Sequence, residues 1–496
     1  MTDQQRPRVL MVALDAMESG WLSDLIARGR LPNICAFTDA AHRSDVTSDG
    51  LTIHGSIWST FASGTGPGTH GRYWWIQWLA EEMRYVRNSH EAFGFRPFWA
   101  TLAEAGIKST IVDLPYTPTV DHSNVRQAVG WGMHDEVEEA SWPNDFLGSI
   151  RKRFGNHPLS FDTVEPQSAR DKLTMVRTLR RGVGMRAQLV EWLAREGRDD
   201  LSIVVFSETH KAGHYLARAE EIAPGRTNVD LVGEVLEPLD AAWPAILDAA
   251  GPGTHVVLFG LHGMHHQVDY GSLGAQLMAL TLGRPAEVGV ARPDLLRRLR
   301  NAIPDPVHRA IWQRLPARVR AARQGQLDTA TTDVANDPLI RVAHDGHFAL
   351  RMNLIGRERD GIIGEEAGEA AIARLAELAR GFKADNGLVA FEGVWRSSER
   401  APGPRSHRLP DAMLLSNPEV PGTRGIVDGS GTRLINAREE SRNGVHTSLG
   451  FCYFRPATGA GATPASAFNN MDFAPGLLSL FSVPAPNELQ GSSFLR

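Results

Sequence analysis

Cysteine is almost absent. Cys35 and Cys452 are the only two in a chain of 496 residues, too few for a disulfide-stapled scaffold and in keeping with a reduced, cytoplasmic setting. Lysine is nearly as scarce, at five of the 52 basic residues, a skew to which no functional reading is attached. Excess positive charge is lacking too: the formal net charge is −5. With no basic stripe interleaved with aromatics, nucleic acid is not an expected partner. There is no run of about 18 apolar residues, and VLMVAL, following MTDQQRPR, is too short and too soon acidic for a signal sequence. Neither a membrane span nor export is therefore expected.

What is present is globular. The chain is 42% hydrophobic and 22% charged, without low-complexity segments, so a packed core is expected. Short apolar runs alternate with helical patterns, the signature of an α/β protein whose mostly parallel central sheet is sandwiched between helices. The runs Val9–Leu14, Ser109–Asp113, Leu201–Phe206 and His255–Phe259 read as strands buried on both faces. The stretches Trp21–Arg28, Phe98–Glu104, Lys172–Arg195 and Glu369–Phe382 repeat apolar residues at helical spacing. Between residues 281 and 340 the composition shifts to Arg, Pro and Ala, which reads as a helical insertion or cap. Residues 1–280 and 341–496 are then assigned to one core.

Chemistry gathers where these strands end, because ligands of open α/β sheets bind beyond the strands' carboxyl ends. Asp15 follows VLMVAL. Glu208, His210 and His214 follow LSIVVFS, and His262, His265 and His266 follow HVVLFG; His446 lies in RNGVHTSLGF. Imidazoles and a carboxylate converging there form a ligand set for zinc or a similar transition metal, and His210 and His214 are spaced closely enough for one ion. Gly213 is expected to let the backbone bend beside them. Glu208 reads as a general base or as a partner orienting a ligating imidazole. His265 and His266 read as loop histidines. Arg351, Asn353 and Arg357 form either an anion clamp or structural salt bridges.

The segments VLMVALDAMESGWLSDLIARGRLPNICAF, IWSTFASGTGPGTHGRYWW, SETHKAGHYL, VVLFGLHGM, RMNLIGRERDGII and RNGVHTSLGF, in this order, resemble the motifs of the alkaline phosphatase superfamily, in its type I phosphodiesterase/nucleotide pyrophosphatase branch. The resemblance implies an alkaline phosphatase-like core with inserted cap segments. It also implies hydrolysis of phosphate mono- or diesters, or of sulfate or phosphonate esters, with two metal ions and a Thr or Ser nucleophile. Asp15 matches the first metal aspartate, His214 and His262 match ligand histidines, and His446 matches the late histidine ligand. Two aspartate positions depart from the pattern, being His210 and Leu261. The nucleophile position falls on His54, flanked by Thr52 and Ser56.

These departures lower the formal charge of the implied ligand set from three carboxylates to Asp15 alone, which strengthens the repulsion between two bound ions. One compensating arrangement places Asp15, His54 and His262 at one site and His210, His214 and His446 at the other, each with an open position for water or substrate. The attacking group is then a metal-activated water or a hydroxyl of Thr52 or Ser56, near the start of a helix over residues 56–63 whose free N–H groups favour a phosphoryl group. His54 ranks first as a ligand, with direct phosphorylation the alternative. The expectation is a metal-dependent hydrolase of small anionic phosphate esters, with one or two ions, Zn by default and Mn or Fe acceptable. The alternatives are sulfate-ester or other non-standard metal chemistry at the same site, or an inactive member that binds an anion.

Overall fold

The run RVLMVAL has no polar face to offer water. Leu10, Val12 and Leu14 enter one apolar cluster, while Val9, Met11 and Ala13 enter a second. Side chains alternate along a strand, so this one needs cover on both faces. The computed structural model supplies it. Described are residues 6–87, 94–133, 139–161, 166, 168–218, 220–267, 270–286, 334–344, 346–420, 422–436 and 442–496.

They divide into two units. The first comprises residues 1–66, 89–265 and 446–496. Its nine-stranded sheet runs in the order Ala467–Asn469, His42–Thr47, Leu449–Arg455, Thr254–Gly260, Arg8–Leu14, Leu201–Phe206, Ser109–Val112, Val125–Val129, Ala140–Trp142. Arg8–Leu14 is parallel to both neighbours, and so is Leu201–Phe206. Leu449–Arg455 is antiparallel to both of its own. One face is covered by the helices Ala169–Glu196 and Asn228–Ala250, the other by Ile57–Ser63, Phe98–Glu104 and Phe473–Leu480. Both long helices open with a capping box, Ser168 with Asp171 and Thr227 with Asp230, which satisfies N–H groups a helix start leaves open.

All four sequence-predicted strands are present, with ends shifted by a residue at most, as are the four helices. The expected mostly parallel α/β architecture is the one observed. Among the described residues no helix is long and apolar enough to cross a membrane.

The second unit comprises residues 67–88 and 266–445. Its four-stranded antiparallel sheet, in the order Leu339–Val342, Phe348–Met352, Ala412–Ser416, Phe391–Arg396, packs with the helices Gly271–Thr281 and Glu365–Arg380 around a separate apolar cluster. Composition alone groups residues 341–445 with the first core, whereas these strands pair among themselves. Residues 287–333, most of the expected helical insertion, lie outside the described residues.

The arginines of RMNLIGRERDGII are engaged by carboxylates. Buried Arg351 donates to Glu358 Oε1 at 2.8 Å, and Arg357 donates to both oxygens of Asp411 at 2.7 Å. They are salt bridges of the second unit rather than an anion clamp. Burial works to raise the Asp411 carboxyl, but the Arg357 hydrogen bonds and the charges of Arg351 and Arg357 hold it below the usual carboxylate range. A depressed folded value gives stability that is present above the unfolded value of about 3.9 and lost as pH falls through the folded one. Asp411→Asn is therefore expected to be less stable than wild type at pH 7 but to lose less stability on acidification. Equal slopes of stability against pH in the two proteins, from urea unfolding between pH 3 and 7 (about the range spanned by the two carboxyl states), would remove Asp411 from the account.

Candidate metal centre

Four strand ends of the first unit deliver the residues. Asp15 directly follows Arg8–Leu14, and its N–H bonds to Phe206 O at 3.2 Å, fixing it beside the neighbouring strand's end. The helix Glu208–Leu216 starts two residues beyond Leu201–Phe206, so His210 and His214, four apart, share one helix face. Thr209 Oγ1 donates to Asp15 O at 2.7 Å, tying that helix to the first strand. His262 follows Thr254–Gly260. His446 precedes the strand Leu449–Arg455, whose start lies beside the carboxyl end of Thr254–Gly260, its antiparallel neighbour.

The imidazoles converge. One ligand atom each from His210, His214 and His446 lies within 4.8 Å of the others. Ring centroids are 4.8 Å apart for His210 and His214, 4.9 Å for His210 and His446, and 5.0 Å for His214 and His446. His54, opening the short turn His54–Ser56, lies with its ring 4.3 Å from that of His446, and His262 lies 4.9 Å from it. Five imidazoles and one carboxylate thus share a largely buried cluster; Asp15, His214, His262 and His446 are at most 4% exposed.

Asp15 has a partner on each oxygen. Trp58 Nε1 donates to Oδ1 at 2.9 Å, and His210 Nδ1 meets Oδ2 at 2.8 Å. Burial works to raise this carboxyl, yet His210, and after it His262 and Trp58, hold it below the usual range. A carboxylate on Nδ1 keeps the proton there and leaves the Nε2 lone pair of His210 for a cation. Burial pushes His262 down to about 4, reinforced by His210 and opposed by Asp15. Burial and then the neighbouring imidazoles of His54, His262, His210 and His214 push His446 well down. Both are neutral at pH 7, the form that binds metal.

The residues fit a cation. His262 Nδ1 and His446 Nδ1 are buried without a hydrogen-bond partner, and an unmet buried polar atom costs about 1–3 kcal/mol. Ligand nitrogens at about 2.1 Å from a tetrahedral ion lie roughly 3.4 Å apart, so His210, His214 and His446, whose ligand atoms lie within 4.8 Å of one another, would have to draw closer to hold one ion. Leu261, at the second departing position, is fully buried in the apolar cluster with Trp58 and Phe259 and offers no ligand.

The sequence-predicted residues thus fare differently. His54, His210, His214, His262, His446 and Asp15 are brought together. Thr52 is half-buried, its Oγ1 directed to Asp49 O at 3.5 Å. Ser56 is fully buried, at the cap position of Ile57–Ser63 but making no capping bond. His265 and His266 lie half-buried in the short strand Met264–His266 rather than in a loop. Gly213 is helical, and what it supplies is space: a Cβ there would lie 2.7 Å from Met264 Cγ.

Glu208 is a correction. It is fully buried, with Arg186 Nε 3.2 Å from both its oxygens and His157 Nε2 2.9 Å from Oε1. Arg186 also donates to Asp113 Oδ2 at 2.7 Å and Gly132 O at 2.6 Å. Burial opposes both charges, yet Arg186 holds the Glu208 carboxyl below its usual range, and Glu208 and Asp113 hold the guanidinium above its own. Glu208 anchors the first turn of the helix bearing His210 and His214 instead of meeting substrate as a base. Sequence reasoning missed Arg186, although a charged residue on the buried stripe of an amphipathic helix is the signal that finds it.

A profile of the family described as type I phosphodiesterase / nucleotide pyrophosphatase matches residues 9–426. Among solved structures, phosphonoacetate hydrolase from Sinorhizobium meliloti 1021 in complex with phosphonoformate gives a TM-score of 0.52 at 13% identity, over 97% of this chain and 96% of that one. Its complex with phosphonoacetate gives 0.51 at 14% identity, over 97% and 96%. Murine ectonucleotide pyrophosphatase / phosphodiesterase 5 gives 0.49 at 12% identity, over 98% and 97%. No curated protein matches the chain. At such identities the structural likeness is one of fold.

Proposed function

Because the chain belongs to the type I phosphodiesterase/nucleotide pyrophosphatase family, within the alkaline phosphatase superfamily, we propose that it hydrolyses phosphoric diesters at a mononuclear centre of His210, His214 and His446. The observation that carries this reading is the His210–His214–His446 trio with Asp15 held against His210. Members of the family depend on divalent metal, usually zinc. In this reading zinc is the ion, with manganese or iron acceptable to the same donors.

When bound, the ion supplies Lewis acidity toward a phosphoryl oxygen and lowers the pKa of water toward about 7. Asp15 orients His210 and offsets one of the two positive charges, leaving a centre of net charge +1. A monoanionic diester neutralises that charge, whereas a phosphate monoester dianion exceeds it. The rings of His54 and His262 border the trio and are placed to donate to a phosphoryl oxygen or the leaving group. Water attacks rather than a side chain, since the nucleophile position holds an imidazole packed on His446. The hydroxyls of Thr52 and Ser56 stay outside the reacting set. Free Cys35 and Cys452 suit a cytoplasmic setting.

Sulfate esters form the second reading. They are monoanions too, and the absence of a carboxylate at Leu261 removes the donor a second ion would use.

Elemental analysis of the purified protein is expected to find one zinc per chain. Turnover of bis(p-nitrophenyl) phosphate is expected to vanish with a chelator and return with zinc or manganese. Two ions per chain would overturn the mononuclear reading. Metal-replete protein that cleaves p-nitrophenyl sulfate and not the diester would establish the second reading instead, and metal-replete protein that cleaves neither would make the chain an anion-binding member.

A further inference from the structure

We propose that Glu18 is a positioning residue for this centre: its carboxylate ties together the loops that carry Asp15, His262 and His446. The proposal rests on the metal-centre reading above and concerns a residue that touches none of the imidazoles in the trio.

Glu18 lies three residues beyond Asp15. Its Oε1 accepts from Gly20 N at 3.3 Å, an ordinary cap for the helix Ser19–Ala27. A cap uses one oxygen. Oε2 is turned the other way and accepts from Met264 N at 3.1 Å and from Thr447 Oγ1 at 3.4 Å. Met264 is two residues from His262, and Thr447 is adjacent to His446. One side chain thus bonds to the segment of His262 and to that of the proposed ligand His446, and is covalently joined to the segment of Asp15.

The glycines show that this contact is built in. A Cβ on Gly263 would lie 2.1 Å from Glu18 Oε2 and 2.8 Å from Thr447 Oγ1, so the carboxylate fills the space a side chain at 263 would take. Gly263 O in turn accepts from Thr447 N at 3.0 Å. The loop before His54 joins the same assembly. A Cβ on Gly50 would lie 2.1 Å from Thr447 O and 3.0 Å from His262 Cβ, and Leu51 N donates to Ser448 Oγ at 3.0 Å. With few carboxylates among the donors themselves, the geometry of the imidazoles has to be set from outside, and partners of this kind typically tune metal affinity by about 10–100-fold.

Glu18→Gln keeps the shape but can accept on one side only, so it loses either the Gly20 or the Met264 bond. Thr447→Val removes only the side-chain bond. Wild type and both variants are compared by zinc competition against a chromophoric chelator, by the visible spectrum of the Co2+-loaded protein, and by thermal unfolding of the metal-free form. Expected for Glu18→Gln is a loss of zinc affinity of about 10–100-fold with an altered Co2+ spectrum and a metal-free melting temperature close to wild type; Thr447→Val shifts both metal readouts in the same direction by less. Zinc affinity and Co2+ spectrum indistinguishable from wild type in folded Glu18→Gln would overturn the role of Glu18 and leave the centre standing. If Glu18→Gln does not fold, an unchanged affinity and spectrum in Thr447→Val overturns it equally. Wild-type protein that takes up neither ion overturns the centre itself and this role with it.

Discussion

Replacing His214 with Ala is expected to lower zinc affinity by at least about 100-fold and to take diester turnover to background, with the fold retained. Its ring is one of three within reach of a single ion and is 1% exposed. No neighbour replaces it on the same helix face, since His210 already holds Asp15 through Nδ1 and has only Nε2 to give. Loss of a ligand outweighs loss of a partner that merely orients one, for which 10–100-fold is typical. In the metal-free protein the change removes a buried polar ring, so the unfolding midpoint is expected to move little. Elemental analysis, chelator competition and turnover of bis(p-nitrophenyl) phosphate check this together. Wild-type zinc content and turnover in His214→Ala would sink the assignment of the centre.

Arg186→Met is expected to cost about 3–5 kcal/mol of stability, because it leaves Glu208 and Asp113 as buried carboxylates without their cation. Methionine approximates the length of the side chain and can keep contact with Trp131 and Phe206, over which the guanidinium lies at 5.5 and 5.7 Å. The penalty is therefore electrostatic more than volumetric. Asp113 retains the N–H groups of Gly130, Trp131 and Gly132, and Glu208 retains His157. Those partners keep the loss finite but supply no full compensating charge. For a unit of this size the melting temperature should fall by roughly 5–8 °C. Since Glu208 starts the helix bearing His210 and His214, zinc affinity is expected to fall as well. Urea unfolding with a loss below about 1 kcal/mol would show that the network carries no net stability.

The sequence made the main sheet legible because its strands are buried on both faces and leave unbroken apolar runs, as in LSIVVF and THVVLFG. The cluster was legible for a related reason: polar residues directly after such runs have to lie at a strand end. His54 was found through family resemblance, since nothing in its own neighbourhood marks it. Trp58, four residues further on, carried no signal of its hydrogen bond to Asp15. Glu208 misled because a carboxylate beside two histidines looks the same whether it faces outward to substrate or inward to an arginine 22 positions earlier in the chain. The wider role of Glu18 had no signal, as the partners of its Oε2 are a backbone N–H and a threonine hydroxyl more than 200 residues away. The separate sheet of the second unit was hidden because short antiparallel strands, apolar on one face, read like continuations of the first core.

His446 arrives just ahead of a strand that the rest of the sheet has to wait for. Leu449–Arg455 lies between His42–Thr47 and Thr254–Gly260. Until it is made, His42–Thr47 has neither of its two partners, since the other, Ala467–Asn469, comes later still. During synthesis the early strands around Arg8–Leu14 can pair as they emerge, but the proposed cation pocket has only two of its three nitrogens until His446 has followed them. In the proposed centre, ion capture by all three nitrogens waits for the segment around His446. If the centre is as proposed, a chain that stops short of His446 holds only two of the three nitrogens and is expected to bind zinc more weakly than one that includes it.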